Sequence, residues 1–125
     1  MPQKHRGLCR TGFVALTAAS IMACGASAVP TSKLSSSRAS VRAAEEVGAR
    51  QTPQAALHLK LAQDQIERAR RLMREGKNDA AALTLDQAQA DAEIAIALAH
   101  EARARREAQE AKDRVAQLRQ QGQIQ

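Results

Sequence analysis

Few side chains in this sequence are of a kind that makes or breaks bonds, and their spacing narrows them further. His100 is followed by Glu101, the opening of the zinc-protease pattern His-Glu-x-x-His, but position 104 is Ala104 and the second ligand is missing. His58 stands alone on its segment and reads as a surface or boundary histidine. Asp86, Asp91 and Glu93 fall on different azimuths of a helix, which suits solvated carboxylates better than a cation site. There is no Gly-rich phosphate loop, no Cys-x-x-Cys pair and no Ser/His/Asp set with a scaffold to hold it. No metal, cofactor or catalytic residue is therefore expected. What remains is sulfur, in Cys9 and Cys24. Cys24 stands directly behind Ile21-Met22-Ala23 at the end of an uncharged apolar run.

The run that leads to Cys24 explains that position. MPQKHRGLCR carries three basic residues and no acid, and TGFVALTAASIMA is an apolar stretch of signal-peptide length. As a helix it would reach only about 20 Å, short of the ~30 Å hydrocarbon core. Ile21-Met22-Ala23-Cys24 resembles the bacterial lipobox, with Ile21 for the commoner Leu and Met22 for a usual small residue. The resemblance implies cleavage between Ala23 and Cys24, a diacylglyceryl group on the Cys24 sulfur and an N-acyl chain on its new amine. Gly25 is not the aspartate that favours inner-membrane retention in enteric-type lipoproteins, which implies the outer membrane, facing the periplasm. A second cut competes: Ala26-Ser27-Ala28 satisfies the A-x-A rule, and cleavage after Ala28 would discard the cysteine and release a soluble periplasmic protein. Either cut removes Cys9, so no intrachain disulfide is expected.

These groups must be positioned by helices. Ala, Leu, Glu, Gln, Lys and Arg dominate residues 53 to 121, all strong helix formers, and the chain has one Phe and no Tyr or Trp. The expected fold is all-α. Residues 1–23 form the leader, 24–34 a Ser-rich tether, 35–121 the helical domain and 122–125 a disordered tail. Leu34, Val41 and Ala44 share a face of a first helix, about 35–47, with Gly48 in the terminating left-handed position. Thr52 as N-cap and Pro53 at the first position start a second helix, about 53–75. After the Gly76-Lys77 turn, Asn78 or Asp79 caps a third, about 79–120.

Periodicity predicts the packing. Ala55, Leu59, Ala62, Ile66, Ala69 and Met73 recur at alternating steps of four and three, as do Ala81, Leu85, Ala88, Ala92, Ala95, Ala99 and Ala102. Two such stripes joined by a tight turn predict an antiparallel hairpin, tetratricopeptide-like or coiled-coil-like. The third helix, at about 63 Å, outruns the second, at about 35 Å. Past Ala102 the phase slips to a new seam, Ala104, Ala108, Ala111, Val115 and Leu118, which the second helix cannot cover. The first helix, a second copy or a protein partner must cover it, or the tail is a single helix supported by charge pairs such as Glu110 with Arg114.

From Ala43-Ala44-Glu45 through Gly76-Lys77-Asn78 to Asp91-Ala92-Glu93 the chain resembles the bacterial envelope family called domain of unknown function 4398, over roughly residues 35 to 110. The resemblance implies a small envelope lipoprotein or periplasmic protein with a helical hairpin, and it supplies no catalytic residue.

Charge limits the partners. The formal charge is +6, but without Lys4, Arg6 and Arg10 sixteen basic residues face thirteen acidic ones. With no aromatic stacking platform, nucleic acid is not expected as a partner. Arg68, Arg71 and Glu75 project together, as do Arg103 and Arg106, with Arg70, Arg74 and Lys77 nearby; solvated surface is the favoured reading and anionic headgroups the alternative. The expected function is a non-enzymatic, membrane-anchored adaptor working through its seams. The alternatives are the soluble form and a coiled-coil lipoprotein bound non-covalently to peptidoglycan, since the sequence ends Gln-Ile-Gln without the lysine that covalent attachment uses.

Overall fold

A computed structural model describes residues 27–123. Three helices account for nearly all of them: α1 (Thr31–Glu46), α2 (Pro53–Arg74) and α3 (Asn78–Gln123), with a single 3-10 turn, Ala49–Gln51, between the first two. No strand occurs among the described residues, and the fold is all-α.

The helix ends follow from local chemistry. At the end of α2, Gly76 takes φ +72°, its N–H donates to the Met73 carbonyl, and the Lys77 N–H donates to the Leu72 carbonyl. This is the Schellman arrangement, which satisfies carbonyls that a helix end otherwise leaves unpaired. Gly48 does part of the same work after α1, at φ +81° with its N–H on the Glu45 carbonyl. Pro53 opens α2 at the position where its missing N–H costs nothing, but the Thr52 side chain makes no capping hydrogen bond. The start of α3 also differs from expectation. Asn78 is its first residue, and the Lys77 carbonyl accepts the first helical bond, from Ala81.

Two boundaries move outward. α1 starts at Thr31 rather than Ser35, so Thr31 to Leu34 belong to the helix and not to a tether. The Ser-rich composition suggested a linker, but these hydroxyls bond back into their own helix: Ser35 Oγ donates to the Ser32 carbonyl and Ser36 Oγ to that of Lys33. α3 continues through Gln123, so Gln121 to Gln123 lie in the helix; residues 124 and 125 lie outside the described residues.

Packing follows the stripes. α2 runs antiparallel along α3 with Ala55, Leu59, Ala62, Ile66 and Ala69 buried against Ala81, Leu85, Ala88, Ala92, Ala95 and Ala99. α1 lies parallel to α3 on its other side: Lys33 pairs with Asp86, and Ser36 Oγ donates to Gln89 Oε1. Val41 and Ala44 are buried in the shared core, Leu34 packs at its edge, and Gln63 Nε2 of α2 donates to Glu45 Oε1 of α1. Of the fourteen apolar residues buried among the described residues ten are alanine, so close backbone approach substitutes for bulk. Ser37 shows how close. It is 1% exposed, and its Oγ lies 2.8 Å from the Lys33 carbonyl and 2.9 Å from the Leu85 carbonyl across the α1–α3 contact.

Candidate functional site

The sulfur singled out by the sequence, Cys24, lies outside the described residues, as does Ala23 and the bond between them. The described surface begins at Ser27, which is tied to the start of α3: its Oγ donates to Asp79 Oδ1 at 2.6 Å, and Asn78 Nδ2 donates to its carbonyl at 2.6 Å. The chain thus joins the bundle beside the α2–α3 turn.

The predicted seam is where the domain meets solvent without cover. Every residue from Arg103 to Gly122 is exposed, including Ala104, Ala108, Ala111, Val115 and Leu118, so α1 does not reach them. Val115 is 47% and Leu118 61% exposed. Lys112 and Arg119 rim an open apolar depression floored by Ala111, Val115 and Ala116. The tail is braced by Arg105 with Glu101, Arg103 with Glu107, and Gln109 Nε2 donating to Asp113 Oδ1. The pair expected between Glu110 and Arg114 is not among those formed. Glu107 holds the Arg103 guanidinium above its usual range, by a hydrogen bond and by direct attraction.

The seam is also not the product of a phase slip. The buried row does not shift at Ala102; it continues along the same face as Arg106, Gln109 and Asp113 and becomes polar where α2 ends. Ala104 to Leu118 lie on a different, outward face. That face carries two large apolar side chains the sequence reading did not assign, Leu83 at 62% and Ile94 at 43% exposed. Counting backward from Ala104 in steps of three and four would have reached them.

Polar groups in the bundle have structural partners. His58 Nδ1 lies 2.8 Å from Asp91 Oδ1, and Gln65 Nε2 donates to Asp91 Oδ2 at 2.8 Å, joining α2 to α3. Asp86 holds Lys33, and Glu93 accepts from Gln89 Nε2. His100 is exposed. Among the described residues no group of three or more His, Cys, Asp or Glu is placed to hold a metal ion. Of the basic residues, Arg70 pairs with Glu67 and Lys77 with Glu75, while Arg68, Arg71, Arg74 and Arg106 form no ion pair among the described residues. Lys77 holds the Glu75 carboxyl below its ordinary value, first by hydrogen bonding and then by charge, with Arg71 and Arg74 adding to the effect. No helix of the described residues is long and apolar enough to cross a membrane.

The family model described as Domain of unknown function (DUF4398) matches residues 32–111, from the first turn of α1 into the exposed part of α3. No curated protein and no solved structure matches the chain.

Proposed function

We propose that this chain, which belongs to the family of domain of unknown function DUF4398, is a lipid-anchored, non-enzymatic adaptor of the bacterial envelope. It is held in the outer membrane through Cys24 and works in the periplasm through the outward face of α3. The observation that carries the reading is a helix face that stays apolar over about four turns, from Ala104 to Leu118, where none of the described residues covers it. A helix end with no partner is ordinarily polar all round, and the buried row of this same helix does turn polar past Ala102. The anchor rests on Ile21-Met22-Ala23-Cys24. One acyl chain on a protein gives marginal membrane binding and two or more give stable retention, so diacylglyceryl plus N-acyl modification would hold it.

The competing soluble form, cut after Ala28, has a structural cost. That cut would remove Ser27, with its bond to Asp79 and its carbonyl under Asn78, whose own Oδ1 is already buried without a partner. This supports the cut before Cys24. Two measurements test the proposal. Palmitate labelling is expected in the wild type and lost in Cys24→Ala; equal labelling of both overturns the anchor. Envelope proteins co-purifying with the intact chain are expected to disappear when residues 104–121 are deleted, and unchanged recovery overturns the seam as the working surface.

A further inference from the structure

We propose that the outward face of α3 is occupied by the same face of a second copy, antiparallel, with each residue i of the row from Leu83 to Gly122 lying opposite residue 205 minus i. The inference rests on reading that face as an interaction surface and names its partner. Three observations on α3 carry it.

First, the row does not begin at Ala104. Followed toward the N-terminus in alternating steps it passes Glu101, Ala97, Ile94, Ala90 and Gln87 to Leu83, so one heptad row of about 54 Å, apolar at all but Glu101 and Gln87, runs from Leu83 to Leu118. It lies opposite the face that packs on α1 and α2, where the partner's tail can lie along the bundle without displacing either helix.

Second, the row is self-complementary in size. In the stated register Ile94 meets Ala111 and Val115 meets Ala90, while Leu83 meets Gly122, whose surroundings are open. Three of the four large side chains thus face a small one, as interdigitated packing needs, while Leu118 meets Gln87.

Third, charge selects the register. The residues flanking the row place Glu93 opposite Arg114 of the second copy and Glu107 beside its His100, each twice by symmetry. No like charges meet along the flanks. One heptad shorter in overlap, Arg105 and Glu107 would each face their own copy; one heptad the other way, Glu93 would face Glu107. A parallel pair sets Asp86 against Asp91, Arg114 against Arg119, and Glu101 against itself within the row. The chosen register also overlaps residues 83–122, about 60 Å of helix. Each bare tail then covers the outer face of the other bundle.

Thiol mapping tests the register on the full chain carrying Cys9→Ser and Cys24→Ser. Mixing Ala90→Cys with Val115→Cys chains is expected to give the mixed disulfide, with neither variant cross-linking to itself. Self-linking of Val115→Cys chains, or no linkage at all, overturns the proposal. In sedimentation the wild-type chain is expected at twice its 13.4 kDa, and Arg114→Glu should weaken the dimer by about tenfold, because two pairs reverse. Glu93→Arg added to Arg114→Glu should restore it; failure of that rescue overturns the register. Val115→Glu, on the bare tail, cannot unfold the bundle and should also leave a monomer. A wild-type monomer that still loses its envelope partners on deletion of residues 104–121 overturns the homodimer and leaves the adaptor reading standing; a dimer whose envelope partners ignore that deletion does the reverse.

Discussion

Asp91 is the residue whose role most exceeds its appearance. Its two carboxylate oxygens hold His58 and Gln65 from α2, and Gln65 Oε1 is already buried without a partner. Replacing Asp91 with Ala strands both α2 groups. Because His58 keeps 29% of its side chain in solvent, the cost belongs toward the lower part of the ~1–3 kcal/mol range for unsatisfied polar groups, read as a lower urea midpoint. Asp91→Asn, which keeps one acceptor, should lose less. At the turn, the depressed titration of Glu75 fixes a sign: its contribution is complete above the ordinary carboxylate value of about 4.3 and is lost as pH falls through the lower folded value. In Lys77→Met the Glu75 side chain should titrate closer to the ordinary value in an NMR pH series. The sequence could place Asp91 on an azimuth, but its partners lie 26 and 33 residues away, so the contact became visible only with α2 set against α3. The serines of α1 misled for a related reason: composition says linker, and only the hydroxyl bonds to Ser32 and Lys33 say helix.

At the scale of the elements, period and punctuation were nearly sufficient. Both buried stripes and both left-handed glycines sit where spacing put them, because an alanine row at steps of three and four has one face to bury and a Gly after a helix one common use. A Cβ on Gly76 would meet nothing within 4 Å, so Gly76→Ala isolates backbone strain and should cost about 1 kcal/mol, seen as a lower melting temperature with unchanged helicity. Leu85 is the largest fully buried side chain. Leu85→Ala should cost about 2–5 kcal/mol, because the alanines around it have little side chain with which to refill the gap. What the spacing concealed was that α3 carries two rows rather than one that slips, since a change of face and a slip of phase look alike until the buried row is followed past Ala102 into Arg106 and Gln109.

The whole molecule is a short bundle carrying a long bare helix. Residues 103–122 are all exposed in the single chain, so a bundle truncated after Ala102 should melt within a few degrees of the intact monomer. A helix without tertiary cover keeps only its propensity and its local charge pairs, and amide exchange in dilute solution should quicken beyond Ala102. With rising concentration the same amides should become protected if the tails pair. The sequence made the length mismatch plain; it left open which end of the bundle the chain joins, because that depended on Ser27 lying beside Asn78 and Asp79. That placement gives the molecule a direction. The chain arrives at the first turn of α3, and the 46 residues of that helix then run about 69 Å away from the point of arrival. In the proposed antiparallel pair, the two points of arrival would therefore stand at opposite ends of one rod, so that whatever grips the chains ahead of Ser27 would hold the pair lengthwise rather than by a single foot.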